Sequence, residues 1–200
     1  MEPLDEVMYW LVGIVVVLFV LSATVVEARP VSCDADGITD KYDIHFRLAA
    51  RRSLPRESLW CAFKSQCFNE SHLNPNAESP VGAVGVCQLM TGAWSDVRGR
   101  GSRTDAKRNI EAGTRYMARM LAFWSSPRPS FECSWDVALA SYNAGPGNIL
   151  KAQTLSGGQL CWDGIRPHLE SVTGMHSKET EDYVTRFWRT YARLLSGGRL

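Results

Sequence analysis

Glu70, with Ser71 beside it and Gln88 one loop further on, is where this chain could do acid–base chemistry. Residues 70–90 read Glu-Ser-His-Leu-Asn-Pro-Asn-Ala-Glu-Ser-Pro-Val-Gly-Ala-Val-Gly-Val-Cys-Gln-Leu-Met. Just before them, Leu59, Phe63 and Cys67 recur at steps of four, with Trp60 alongside, so a helix buries that face. Glu70 lies beyond Cys67 on the same apolar side, at the C-terminal end of the helix. Apolar surroundings penalise a carboxylate by desolvation, and the C-terminal end of a helix macrodipole disfavours negative charge. A glutamate so placed keeps its proton nearer to neutral pH and can protonate a leaving oxygen, as glycosidic cleavage requires. An ordinary solvated glutamate at a helix end is the competing reading. A second cluster, Ser141-Tyr142-Asn143-Ala144-Gly145-Pro146-Gly147, follows about fifty residues later.

The elements that position these residues read as helices. Lys41 to Ala50 has a weak helical pattern, and Pro55 marks the start of the helix that carries Glu70. Asn74-Pro75 is expected to stop it, leaving 74–85 as an ordered loop. A second amphipathic helix spans Ala106 to Trp124, with Ile110, Gly113, Met117, Met120 and Trp124 as its stripe and Gly113 permitting close contact. Residues 125–133 break the chain. A third helix covers Trp135 to Asn143, placing Trp135, Ala138, Leu139 and Tyr142 on one side, and Gly145-Pro146-Gly147 terminates it. Gly157-Gly158 and Pro167 mark a longer loop. The last helix, Lys178 to Leu195, has Tyr183, Phe187, Tyr191 and Leu194 on one face. No strand-like alternation is strong, so the fold class is mainly α.

The motifs resemble the catalytic domain of the soluble lytic transglycosylases, lysozyme-like enzymes related to goose-type lysozyme that cut peptidoglycan glycan strands. Glu70-Ser71 matches the pair that opens the family's site. Asn74-Pro75-Asn76-Ala77 and Ser79-Pro80-Val81-Gly82-Ala83-Val84-Gly85 match the following loop. By that match Glu70 is the catalytic acid, and Ser79 and Gln88 bind substrate near the scissile bond. Gly85-Val86-Cys87-Gln88 stands where the family has Gly-Leu-Met-Gln, so Cys87 would leave a smaller, oxidisable group in or near the groove. Ser141-Tyr142-Asn143-Ala144-Gly145 matches the third motif, in which Tyr142 would hydrogen-bond the acid and Asn143 would bind sugar or brace the loop. Taken alone, Tyr142 reads as a core aromatic at helical spacing. Glu179-Thr180-Glu181-Asp182-Tyr183-Val184 resembles the closing segment, so Tyr183 would line the groove and Glu179 would contact the peptide stem. Asn109 to Gly113 fits the family's middle helix, as packing.

The resemblance also implies the mechanism. Retaining and inverting glycosidases pair two carboxylates, whereas Glu78, Asp96 and Asp136 sit in no motif suggesting the second. In this family one glutamate acts first as acid and then as base, activating the muramic acid C6 hydroxyl to close a 1,6-anhydro ring. That chemistry takes no cofactor and no metal, and the four histidines show no zinc spacing. His72 reads as a solvated loop residue rather than a base. The same fold with water as nucleophile, a hydrolytic muramidase, stays open as an alternative. So does a catalytically silent peptidoglycan-binding scaffold, which intact Glu70, Gln88 and Tyr142 argue against.

Val7 to Val26 contains no charged residue, and a helix of that length, at about 1.5 Å per residue, crosses a bilayer of about 30 Å. An acidic leader and the length of the run favour a retained anchor over a cleaved signal peptide. The expected organisation is a tail at 1–6, an anchor at 7–26, a linker at 27–40 with Cys33 as a tether, and a catalytic domain at 41–197. Arg29, Lys41 and Arg47 after the span would place the domain inside the cell by the positive-inside rule. Six cysteines argue for an oxidising compartment. The cysteines and the implied substrate favour the periplasmic side, with a phage virion or its membrane as the alternative. Cys61 and Cys67, about 9 Å apart on one helix, cannot bridge each other, and Cys133 with Cys161 is the expected pair. Net charge is +1, or +4 once Glu2, Asp5 and Glu6 are set aside. That surplus suits an anionic polymer such as peptidoglycan and is too small to argue for nucleic acid. The expected partners are glycan strands, a lipid bilayer through residues 7–26, and an envelope-spanning or virion assembly.

Overall fold

A computed structural model describes residues 33–124 and 130–197. The tail, the apolar run at 7–26, the first part of the linker and residues 125–129 lie outside the described residues. Among the described residues, no helix is long and apolar enough to cross a membrane.

The elements are α1 (Asp43–Ser53), α2 (Trp60–Ser71, preceded by a 3-10 turn at Glu57–Leu59), α3 (Thr91–Asp96), α4 (Ala106–Trp124), α5 (Phe131–Ala144) and α6 (Pro146–Leu155). The short α7 (Trp162–Ile165) and α8 (Glu170–Thr173) lead into α9 (His176–Leu195). Extended structure among the described residues amounts to three isolated bridges, two of them within the loop after α2. The mainly α class therefore holds.

α9 packs on α2 and α5, α4 packs on α1 and α5, and α6 covers α5. α4 has the limits its periodicity implies, and its whole stripe is buried. Its Gly113 is required by proximity: a Cβ there would lie 2.9 Å from Cys87 Cβ and 3.1 Å from the Phe63 ring. α5 begins at Phe131, four residues before the expected Trp135, because Ser130 caps it and its hydroxyl accepts from Cys133 N–H at 3.1 Å. Gly145, at φ 86°, ends α5 as expected. The following Pro146 does not open a loop, however. It occupies the first turn of α6, where its fixed φ suits a helix start and its missing N–H costs nothing. At the centre, fully buried Trp135 lies between Phe131 and Phe187, with ring centroids 5.3 and 6.0 Å away.

Two expectations about the periphery change. Residues 33–40, expected as linker, fold onto the domain, with Cys33 and Ile38 buried. The Cys33–Cys61 disulfide ties this segment down. Lys64, fully buried, ion-pairs with Asp43 at 2.6 Å and donates to the Cys33 carbonyl at 3.2 Å. Burial pushes the Asp43 carboxyl up, and the Lys64 hydrogen bond opposes it. Cys87, expected as an oxidisable group in or near the groove, is instead buried and bonded to Cys67. Cys133 pairs with Cys161 as expected. The Cys67–Cys87 bond closes a separation of 20 residues, which in the chain-entropy picture stabilises by about 3 kcal/mol. Replacing both cysteines with alanine should lower the urea midpoint by that equivalent, and an unchanged midpoint would show that the loop is held without the bond.

Candidate active site

α2 ends sooner than its sequence suggests. His72 and Leu73 take left-handed conformations, φ 54° and 61°, ahead of Asn74-Pro75. Such a conformation costs a non-glycine residue about 1 kcal/mol or more. Burial of the Leu73 side chain offsets it. His72 is exposed. The sharp turn leaves Glu70 in the last turn of α2 and sends the chain back across it.

The returning loop is held from three directions. From α2, Ser71 Oγ donates to the Val86 carbonyl at 2.6 Å. From α4, buried Asn109 accepts from Cys87 N–H at 2.8 Å and donates to the Val84 and Arg103 carbonyls. From α5, the Tyr142 hydroxyl donates to the Cys87 carbonyl at 2.8 Å. Arg103 adds bonds to the Gly82 and Leu89 carbonyls, at 3.0 Å each. Within the loop, Ser79 Oγ accepts from Ala83 N–H, and the Gln88 amide donates to the Ala77 and Gly85 carbonyls. Gly85 is obligatory, since φ is 87° and a Cβ would meet the Arg103 carbonyl at 2.3 Å.

Glu70 faces α9, where the Tyr183 hydroxyl donates to its Oε1 at 2.6 Å. Burial pushes the carboxyl up to about 7; the Tyr183 hydrogen bond and Arg186 lower it, and Glu179 raises it. The hydrogen bond to the acid thus comes from Tyr183, not from Tyr142. Tyr142 is near enough that the Glu70 charge, after burial, helps push its hydroxyl pKa up, and its ring packs edge-on against Tyr116 at 5.2 Å. Gln66, one turn before Glu70, is fully buried and neither end of its amide has a hydrogen-bond partner. It lies close enough to the Tyr183 hydroxyl to lower that group's pKa against the stronger effect of burial.

Asn143 accepts from buried Thr180 Oγ1 at 2.7 Å, which joins the end of α5 to α9. Asn143, Asn148, Thr173, Glu179 and Thr180 line an open hollow of about 360 Å³. Ser79 and Gln88 belong to the loop, and Glu70, Tyr183 and Tyr142 to the three helix faces around it. Of the other carboxylates, Asp136 is pushed up to about 6 by burial, but it accepts from the Trp188 indole at 2.6 Å, which lowers it, and it feels Asp163 and Glu132. The roles of Ser71, Asn109 and Arg103 as braces were not read from the sequence. Their partners are carbonyls and N–H groups distant in the chain, and only the small polar type of Asn109 inside an apolar stripe hinted at it.

Residues 63–163 match the transglycosylase SLT domain, and the chain belongs to that family. A membrane-bound lytic murein transglycosylase F of Serratia proteamaculans is 35% identical over 118 residues, covering 57% of this chain and 24% of that protein. Its namesake from Shewanella pealeana is 35% identical over 138 residues, covering 67% and 27%. The chain thus spans about a quarter of the length of these relatives. The 70 kDa soluble lytic transglycosylase of Escherichia coli shares the fold, with a TM-score of 0.61 over 80% of this chain and 25% of that one, at 22% identity.

A raised carboxyl pKa has a cost in stability whose sign is fixed. In the unfolded chain Glu70 ionises near 4.5 and in the folded one near 7, so the unfolded state loses its proton first and stability falls across that window. Glu70→Gln should therefore be neutral at pH 4 and more stable than the parent above pH 7, by roughly 1–3 kcal/mol. Thermal denaturation at both pH values checks this, and equal stabilities at pH 8 would mean an ordinary, solvated Glu70.

Proposed function

We propose that this chain is a membrane-anchored peptidoglycan lytic transglycosylase. It cleaves the β-1,4 bond between N-acetylmuramic acid and N-acetylglucosamine and leaves a 1,6-anhydro end, opening the cell wall. The observation that carries the reading is the Glu70 carboxyl, raised to about 7 by burial and held by the Tyr183 hydroxyl. With a pKa near the working pH, such a group can give up its proton to the leaving oxygen and take one back at little energetic penalty. The family membership and the names of the relatives support the same substrate.

Glu70 first gives its proton to the glycosidic oxygen as the bond from C1 breaks. Its carboxylate then takes the proton of the muramic acid C6 hydroxyl as that oxygen bonds to C1, which returns Glu70 to its starting state without water. Tyr183 orients the carboxyl and stabilises the anionic interval. Ser79, whose oxygen already accepts from Ala83 N–H, offers its own proton to the sugar. Gln88, with its amide hydrogens committed to carbonyls, offers its oxygen. Tyr142 shapes the groove through the Cys87 carbonyl, and Asn143 and Glu179 offer polar contacts in the hollow beside α9. The apolar run at 7–26 supplies the anchor, and the three disulfides suit a domain on the periplasmic side.

Mass spectrometry of peptidoglycan digested with the chain tests the reading. Muropeptides one water lighter than hydrolytic products, absent with Glu70→Gln, are expected; reducing ends would instead identify a hydrolase. Activity should fall above about pH 7 as Glu70 loses its proton. Tyr183→Phe removes a bond that lowers this pKa, so the alkaline limb should move upward while the rate drops about tenfold, the equivalent of about 1.4 kcal/mol. An unmoved limb would sever Tyr183 from the acid.

A further inference from the structure

Residues 98–119 carry seven basic and two acidic side chains, a surplus of +5. The +4 that remains beyond the N-terminal acids is therefore concentrated in one segment of the chain. The fold gathers part of it into a hollow of about 240 Å³ lined by Val97, Arg98, Arg100, Arg108, Glu111 and Arg115. Glu111, its one acidic wall, already faces Arg52 at 3.7 Å and Arg108 at 3.6 Å. Arg115 is fixed by its Nε donating to the Val97 carbonyl at 3.3 Å. The turn that presents Arg98 and Arg100 is fixed as well: a Cβ on Gly99 would fall 2.2 Å from the Trp94 ring. Holding several guanidinium groups around one hollow is repulsive unless an anion enters.

The hollow adjoins the proposed sugar groove. Val97 forms a small cluster with Leu89 and Ala112, against which Trp94, Tyr116 and Tyr142 pack. The basic hollow and the Tyr142 hydroxyl thus lie across one side-chain cluster from each other. In peptidoglycan the sugars are uncharged and the free carboxylates sit on the stem peptides. Guanidinium forks match carboxylates in paired hydrogen bonds.

We propose that the hollow lined by Arg98, Arg100, Arg108 and Arg115 binds the carboxylates of a peptidoglycan stem peptide, outside the groove that holds the sugars. The proposal rests on reading the chain as a peptidoglycan enzyme, and it makes stem-bearing strands the preferred substrate.

The test uses the full chain with Glu70→Gln, in neutral detergent, so that binding is measured without turnover. Co-sedimentation is compared on stem-bearing peptidoglycan and on glycan strands stripped of stems by an amidase and then amidated at the lactyl carboxylates that this exposes, so that the bare strands carry no charge. About tenfold tighter binding to the stem-bearing polymer is expected at low salt, shrinking as ionic strength rises. Adding Arg98→Gln, Arg100→Gln and Arg108→Gln should abolish that difference and leave both the melting temperature and binding to bare strands unchanged. A preference that survives the three substitutions would overturn the proposal, as would equal loss on both polymers. Competition by inorganic tripolyphosphate but not by a free stem tetrapeptide would overturn the assignment to stems. Absence of binding to either polymer would overturn the peptidoglycan reading itself, whereas anhydro products from the active chain together with no stem preference would overturn this proposal alone.

Discussion

A half-buried carboxyl group at the end of α2 sets the terms for what surrounds it. Burial pushes the Glu70 carboxyl up. The Tyr183 hydroxyl and the Arg186 charge work against burial, and the balance falls near neutrality. That balance depends on two helices far apart in the chain meeting at 2.6 Å. α2 and α9 are accordingly joined by more than apolar contact: Ser65 donates to the Phe187 carbonyl and Thr190 donates to Asn69. Shifts of a few tenths of an ångström between the helices would weaken a hydrogen bond that tunes the acid.

The loop between Glu70 and α3 meets a different demand. It has almost no regular structure, yet side chains from three other elements hold its backbone in place. Its polar groups are satisfied by side chains from elsewhere, with Ser71, Asn109, Tyr142 and Arg103 converging on the carbonyls and N–H groups of residues 82–89. Buried Asn109 would be expensive in an apolar stripe without partners. With three hydrogen bonds it becomes the pin that locks loop to helix. The Cys67–Cys87 disulfide performs the covalent version of the same task beside it. Rigidity here comes from long-range bonds rather than from local propensity.

Charge is distributed with equal economy. The basic surplus belongs to the turn after α3 and to α4, while buried Lys64 pairs with Asp43 of α1 and holds the N-terminal segment by donating to the Cys33 carbonyl. Near the site, burial raises the Glu70 pKa most, and the charge of exposed Glu179 on α9 adds a smaller push in the same direction.

Local chemistry made much of this legible in advance. The stripe of α4, the apolar side occupied by Glu70, the glycine stop after Ala144 and the impossibility of a Cys61–Cys67 bond all follow from periods and lengths within one element, which a chain carries wherever it folds. What the sequence misplaced or left open concerns partners distant along the chain: the tyrosine that reaches the acid, expected as Tyr142, the fate of Cys87, expected as an oxidisable group, and why Asn109 is polar. Tyr142 and Tyr183 both carry a hydroxyl on a buried helix face, and nothing local distinguishes them. Only the packing of α9 on α2 brings Tyr183 to Glu70 and leaves Tyr142 on the Cys87 carbonyl, because hydrogen bonds are short and directional and helix position is set by the whole core.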